Sequence, residues 1–433
     1  MVLKNQGRSH EEYIPQLRKG FDLSNKVSEW ERYHIQGVYH AVCGELEEAI
    51  PIFEALIRRY PDDHWGYSWL EGLYRGTGRA EKLVPLVVRR AELRPNHGGY
   101  NFHAAHTLIY RQGDLAKAHT FVEKALKSMS PETQPPHHTA WAPFLDLFPF
   151  FKHWIEGEID SASEKLTRAE RLIPLESDQM RESYRLSLGS AYLALGKLKK
   201  AEGIFGALTG STAQVYGRKQ SEFRPRIRVR CLTIGPFMRA DEEAFRRVLA
   251  EELGDQSAPG LLTVMLMARL GVLSEARNAL RFLEDEERAP KPLIQLARAE
   301  LALAEGDTET AIAIFRRQLS MLDTRGPTFF VSSESLAMAL EQQGDPEAAL
   351  RVLDSASEQR TRGYVASAAF WLQNEWQRAR LNRVLGREDE ATQIETELRG
   401  LLALADSDHP LLQLLSQQEK GAQTLSLQDK TGR

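Results

Sequence analysis

Nine glycines in this chain are each followed by the same pattern of side chains, and that regularity limits the fold more than any other feature. From Gly44 the chain reads Ala49, Phe53, Leu56 and Pro61, at offsets of five, nine, twelve and seventeen. The same offsets return from Gly157 as Ala162, Leu166, Ala169 and Pro174, from Gly196 as Ala201, Phe205 and Leu208, and from Gly271 as Ala276, Leu280 and Leu283. Gly306, Gly344 and Gly386 repeat it in part, and Gly78 and Gly113 more loosely. Apolar residues spaced by four, four and three share one face of a helix, and a glycine before them supplies the turn into it. A small residue stands seven before several of these turns, as Gly37, Gly189, Ala299, Ala337 and Ala379. It lets a first helix lie close against the alanine side of a second. The chain therefore reads as helix pairs, with Pro61, Pro95 and Pro174 ending second helices because proline lacks the amide donor.

Spacing then fixes the count. Gly44, Gly78 and Gly113 step by 34 and 35 residues, and later steps of 44, 39, 35, 38 and 42 imply longer helices or loops such as SMSPETQPPHH over 128 to 138. The interval of 75 from Gly196 to Gly271 holds two units. The second of these has no turn glycine, and its second helix is read from Ala244 and Val248 in ADEEAFRRVL. The expectation is all-α, about ten helix pairs over 30 to 402, with a cap over 1 to 29 that includes a short helix at 9 to 22, and a capping segment and loose tail over 403 to 433. Ser28 and Glu31 have the spacing of a capping box opening the first helix.

A unit of about 34 residues, with an aromatic four before the small position (Tyr33 before Gly37) and then glycine, alanine, aromatic and proline positions, resembles the tetratricopeptide repeat. The resemblance implies a right-handed α-α superhelix with a concave groove, acting as a scaffold or adaptor that binds a protein or peptide segment. Residues 23 to 63, LSNKVSEWERYHIQGVYHAVCGELEEAIPIFEALIRRYPDD, also look like the entry into the repeat arrays that follow the catalytic domain in bacterial serine/threonine kinases. No HRD or DFG signature accompanies them. Chaperone-binding members of the family grip a peptide C-terminus with lysine and asparagine at positions five and nine. Here those positions read His34 and Val38, Ser68 and Gly72, His103 and Thr107, which argues against that partner.

Two stretches stand out as candidate partner sites. In WAPFLDLFPFFKHWIEGE the groove-side positions are Phe144, Leu147, Phe151, Trp154 and Ile155, all apolar, with Pro149 expected to kink the helix. A helix apolar on both sides must be covered on both, by the 128 to 138 loop, by tighter coiling, or by a partner. In RKQSEFRPRIRVR, Arg226 and Arg230 share a helix face and could grip an acidic group, unless that face is solvated and balanced by the acidic segments behind it. A partner segment that is apolar and carries an acidic group would suit both stretches.

No nucleophile with its base, phosphate loop or metal signature is present in the sequence, so no enzyme and no cofactor is expected. The enzyme alternative rests on His103 and His106, one helical turn apart, which also offer the weak alternative of a metal site. An RNA-binding helical repeat is the third reading, but a formal charge of -4 gives no sequence-wide attraction to nucleic acid. Two isolated cysteines, no apolar leader in MVLKNQGRSHEEY and no run of roughly 18 apolar residues point to a cytoplasmic chain without a membrane span. Oligomeric state is not written in the sequence.

Overall fold

The computed structural model describes residues 10–128, 142–172, 178–208, 224–253, 259–285, 291–321 and 326–418. Among these residues there are helices and turns and no strand. The chain divides into two compact units, Met1–Pro135 and Pro136–Arg433, so the array expected as one body over 30 to 402 is split at the proline-rich stretch after residue 128.

The first unit opens with α1 (His10–Asp22), which covers the first pair as expected: Arg18 Nη1 donates to the Tyr39 hydroxyl at 3.1 Å and Phe21 lies 4.4 Å from the Tyr39 ring. Three pairs follow: α2 (Glu29–Val42) with α3 (Leu46–Arg59), α4 (His64–Gly76) with α5 (Ala80–Leu93), and α6 (Gly98–Gln112) with α7 (Leu115–Ser128). Ser28 and Glu31 form the capping box, the Ser28 amide donating to Glu31 Oε2 at 3.0 Å.

The second unit holds seven pairs: α8 (Ala142–Ile155) with α9 (Ile159–Leu172), α10 (Asp178–Ala194) with α11 (Leu198–Gly206), α12 (Arg224–Met238) with α13 (Glu242–Glu252), and α14 (Leu261–Arg269) with α15 (Leu273–Asp285). Then come α16 (Lys291–Ala304) with α17 (Thr308–Met321), α18 (Pro327–Gln342) with α19 (Pro346–Ser357), and α20 (Arg360–Val384) with α21 (Glu388–Leu401). Among the described residues this makes ten pairs, as the spacing predicts.

All nine turn glycines adopt positive φ, the left-handed region that costs other L-residues roughly 1–2 kcal/mol. The sixth pair corrects the sequence reading by one residue. Ala240 takes the turn at φ 52, so Phe245 and Leu249, not Ala244 and Val248, occupy the buried offsets of five and nine. The small position seven before the turn also acts differently from expectation. A Cβ on Gly37 would come within 2.7 Å of the Phe53 ring, and one on Gly189 within 2.2 Å of the Phe205 ring, so the missing side chain makes room for the phenylalanine rather than for the alanine. Helices α3 and α5 end two residues before Pro61 and Pro95; Pro174 lies outside the described residues.

In the second unit first helices of neighbouring pairs pack on one another, α8 on α10, α12 on α14, α14 on α16, α16 on α18 and α18 on α20. Helix α20 of the last pair packs back on α8 and α10 of the unit's first two pairs. Beyond α21, Asp406 donates its amide to the Gly196 carbonyl at 3.1 Å, and the Lys199 ammonium meets Asp408 at 2.7 Å. Residues 410 to 418 are helical, with Leu411 and Leu415 buried; the rest of the expected tail, 419 to 433, lies outside the described residues. The seven-pair unit closes on itself.

Candidate functional site

Closure decides the fate of the apolar stretch on α8. Leu147, Phe151 and Trp154 are at most 1% exposed, so the groove expected there is already filled by the chain itself. Trp154 Nε1 donates to the Ala194 carbonyl at 3.0 Å, and the ring meets Trp371 of α20 edge-on at 5.9 Å. The Arg360 guanidinium lies 4.9 Å from the Trp154 ring and 4.6 Å from the Trp371 ring, and Nη2 donates to the Trp154 carbonyl at 3.0 Å. Burial pulls the Arg360 pKa down against the opposing ion pair with Glu397 at 2.6 Å. Phe144 and Ile155 remain half-buried, Phe144 beside Phe148. Among the described residues α8 is covered by tighter coiling, through α10 and α20; the 128 to 138 loop lies outside the described residues beyond Ser128. The helix also continues through Pro149.

Polar groups occupy the same interior. Arg269 pairs with Glu334 at 2.6 Å and lies 5.5 Å from the Phe237 ring, which packs on Phe370 of α20 at 6.2 Å. Glu300 is buried beside them and accepts from the Ser335 hydroxyl at 2.8 Å. Burial raises its pKa to about 8 against the pull of Arg269, so the carboxyl is held neutral at pH 7.

Arg230 is exposed and the Arg226 side chain lies outside the described residues. It is Arg228, between them, that finds a carboxylate, Glu252 at 2.7 Å, and it also donates to the Leu208 carbonyl.

The first unit differs. Along α4, Trp65, Ser68, Gly72, Arg75 and Gly76 fall on one helical face and all are exposed, Trp65 at 51%. Behind that face, Glu71 bonds Arg75 at 2.6 Å and the buried Arg90 at 2.9 Å, and His103 Nδ1 lies 3.4 Å from Glu71. Burial alone would raise the Glu71 pKa, but His103, Arg90 and Arg75 hold it down at about 2. At the end of the face, Asp63 caps α4 through the Gly66 amide at 2.7 Å and accepts from Trp30 Nε1 at 2.6 Å, with His34 Nε2 2.8 Å away. Burial opposes ionisation of Asp63, yet these bonds lower its pKa.

The surroundings of His103 and His106 disfavour a cation. Arg90 stands 3.4 Å from His103 Nδ1, placing positive charge where a cation would sit. His106 stacks on Tyr110 at 4.2 Å, and its desolvated position with His103 and Arg75 nearby lowers its pKa to about 4. His153, Glu156 and Glu158 also place ligand atoms within 4.8 Å of one another. Each is otherwise engaged at the surface: His153 with Glu158 at 2.6 Å, Glu156 with Lys152 at 2.7 Å.

Residues 292–317 and 334–355, within the eighth and ninth pairs, match the family model of the tetratricopeptide repeat. The chain carries tetratricopeptide repeats. No curated protein sequence matches it. Solved structures with a similar arrangement include the APC/C hetero-tetramer Cut9–Hcn1, at 14% identity over 94% of this chain and 79% of that one, with a TM-score of 0.39. Yeast Tom70 matches at 14% identity over 98% and 97%, TM-score 0.34, and a tetratricopeptide repeat protein of Parabacteroides merdae at 16% over 72% and 98%, TM-score 0.37. Likeness at this level carries no argument about partners, and the similarity of residues 23 to 63 to kinase-associated arrays rests on those residues alone.

Within the repeat register, Glu71, Arg90 and His106 are the residues sequence reading passed over or misread. Glu71 stands seven before Gly78 and His106 seven before Gly113, where five other repeats have glycine or alanine, and Arg90 stands twelve after Gly78, where most others have leucine or alanine. A charged group at a position that the repeat buries was the available signal.

Proposed function

We propose that this protein is a non-catalytic scaffold whose tetratricopeptide repeats hold a partner protein segment on the exposed face of α4 in the first unit. One observation carries the reading: the inner helices of the second unit are covered by the chain itself, whereas an indole at 51% exposure heads an uncovered face in the first. Large exposed aromatics in front of a rigid scaffold are the usual anchors of an interface. An apolar side chain of the partner packs on Trp65. Its backbone passes over Ser68, Gly72 and Gly76, which leave space for close approach.

Arg75, half exposed and fixed from behind by Glu71, offers its remaining donors to a partner carboxylate or carbonyl. This moves the apolar and acidic recognition expected at Phe144–Trp154 and Arg226/Arg230 to a different set of residues. No helix among the described residues is long and apolar enough to cross a membrane. Both cysteines are free, and burial raises the pKa of Cys231, so a reducing compartment such as the cytoplasm suits the chain.

The test is quantitative affinity capture from native lysate with the wild-type chain and with Trp65→Ala. A set of proteins retained by the first should fall at least tenfold with the second. Identical retention by both places the binding face elsewhere.

A further inference from the structure

The outer layer of the second unit has a trough that the scaffold reading does not use. It runs between the second helices α17 and α19, with α18 as its floor, and encloses a cavity of ≈ 450 Å³. Phe329, Leu336 and Leu340 form the buried base, Leu319 and Val352 the apolar walls. Exposed Arg316 stands on one rim and exposed Arg351 on the other. The lining contains no carboxylate, and neither arginine makes an ion pair among the described residues. Many arginines of this unit have acidic partners, among them Arg269, Arg360, Arg378 and Arg380; Arg316 and Arg351, like the exposed Arg230, Arg281, Arg317 and Arg387, have no ion pair among the described residues, but these two face one apolar trough.

We infer that this trough docks an amphipathic α-helix of a partner protein, with apolar residues at i, i+3 or i+4 and i+7 seated on Phe329, Leu336 and Leu340 and acidic residues on its flanks meeting Arg316 and Arg351. Charge complementarity selects the acidic flanks, since two cations on opposite rims with no acid between them repel a basic or neutral-polar segment relative to an acidic one. Shape selects a helix. A small ligand is normally enclosed over roughly 70–90% of its surface, while a trough with both rims exposed leaves one long side uncovered, as in helix-in-groove recognition. The site is separate from the Trp65 face and stands or falls independently of it.

The test uses the full chain and a displayed library of random helical peptides. Selection on the wild type should enrich sequences with an apolar i, i+3/i+4, i+7 stripe flanked by Glu or Asp. The enriched peptides should bind Arg316→Glu/Arg351→Glu at least tenfold more weakly and Trp65→Ala with unchanged affinity, and should weaken as salt rises. Both arginines are exposed, so the double variant keeps its fold, checked by its melting curve. The inference is overturned if selection shows no acidic bias, if binding is the same on the double variant, or if dodecanoate occupies the trough and the peptides do not. It is also overturned if the chain self-associates in sedimentation and the double variant abolishes that association, because a second copy would then be the occupant.

Discussion

The two units are built from the same helix pair, yet in the first the groove side of α4 is exposed, whereas the seven pairs of the second return on themselves and bury Leu147, Phe151 and Trp154 of α8. The contrast is visible in their tryptophans: Trp30 and Trp65 in the first unit are 42% and 51% exposed, Trp154 and Trp371 in the second 1% and 3%. An array too short to close must present its groove to something else. One long enough to close can bury large side chains and even charges, becoming a core that binds, if at all, by its outer layer.

The largest expected effect comes from breaking the closure. Trp154→Ala removes the ring between α8, α10 and α20 and the platform for Arg360, and should destabilise the second unit by about 3–5 kcal/mol. Amide exchange read by mass spectrometry should rise across residues 142 to 418 and stay unchanged in the first unit; a rise confined to α8 would mean that closure contributes little.

Alkaline pH should separate the units next. Glu300 has its pKa raised from the ordinary 4.5 to about 8 in the folded protein, so the folded state holds the proton more tightly than the unfolded one. Its contribution is complete below pH 4.5 and is lost as pH rises through 8, by about 5 kcal/mol at most. Unfolding of the second unit should become easier as pH rises from about 4.5 to 8, and Glu300→Gln should flatten that slope. Between pH 6.5 and 4, above the range where Glu71 of the first unit takes up its proton, acid treats the units alike. His106 in the first and His409 in the second each have a pKa lowered from 6.5 to about 4, so stability present above pH 6.5 is lost as pH falls toward 4, by about 2–3 kcal/mol for each. An acid transition seen in one unit only contradicts this assignment.

The smallest effect tests the repeat register. Ala240→Gly should stabilise the chain by about 0.5–1 kcal/mol, because glycine tolerates the positive φ that alanine resists. Destabilisation would mean that Ala240 is not the turn residue of the sixth pair.

Much of the fold was legible because it follows from local repetition. A glycine at the turn, alanine five later and a large apolar side chain nine later name a helix pair without reference to anything distant. The division into two units, the closure of the second and its filled interior were not legible, since they arise from contacts between residues some two hundred positions apart, such as Trp154 with Arg360 and Gly196 with Asp406. The apolar excess of α8 marks a helix that needs cover on both sides, but its sequence does not say whether the chain itself or the partner expected at Phe144–Trp154 supplies it. The α4 face escaped notice for the opposite reason. Serine and glycine at its centre look unremarkable until the structure shows them uncovered beside Trp65, and the carboxylate clamp, the pattern tested there, concerns lysine and asparagine.

The contrast itself can be measured by oxidative footprinting of the native chain, with modification of each tryptophan quantified by mass spectrometry. Trp65 and Trp30 should react quickly, while Trp154 and Trp371 stay protected until the second unit unfolds. Equal reactivity of Trp154 and Trp65 under native conditions would contradict a second unit closed on itself beside a first with an uncovered face.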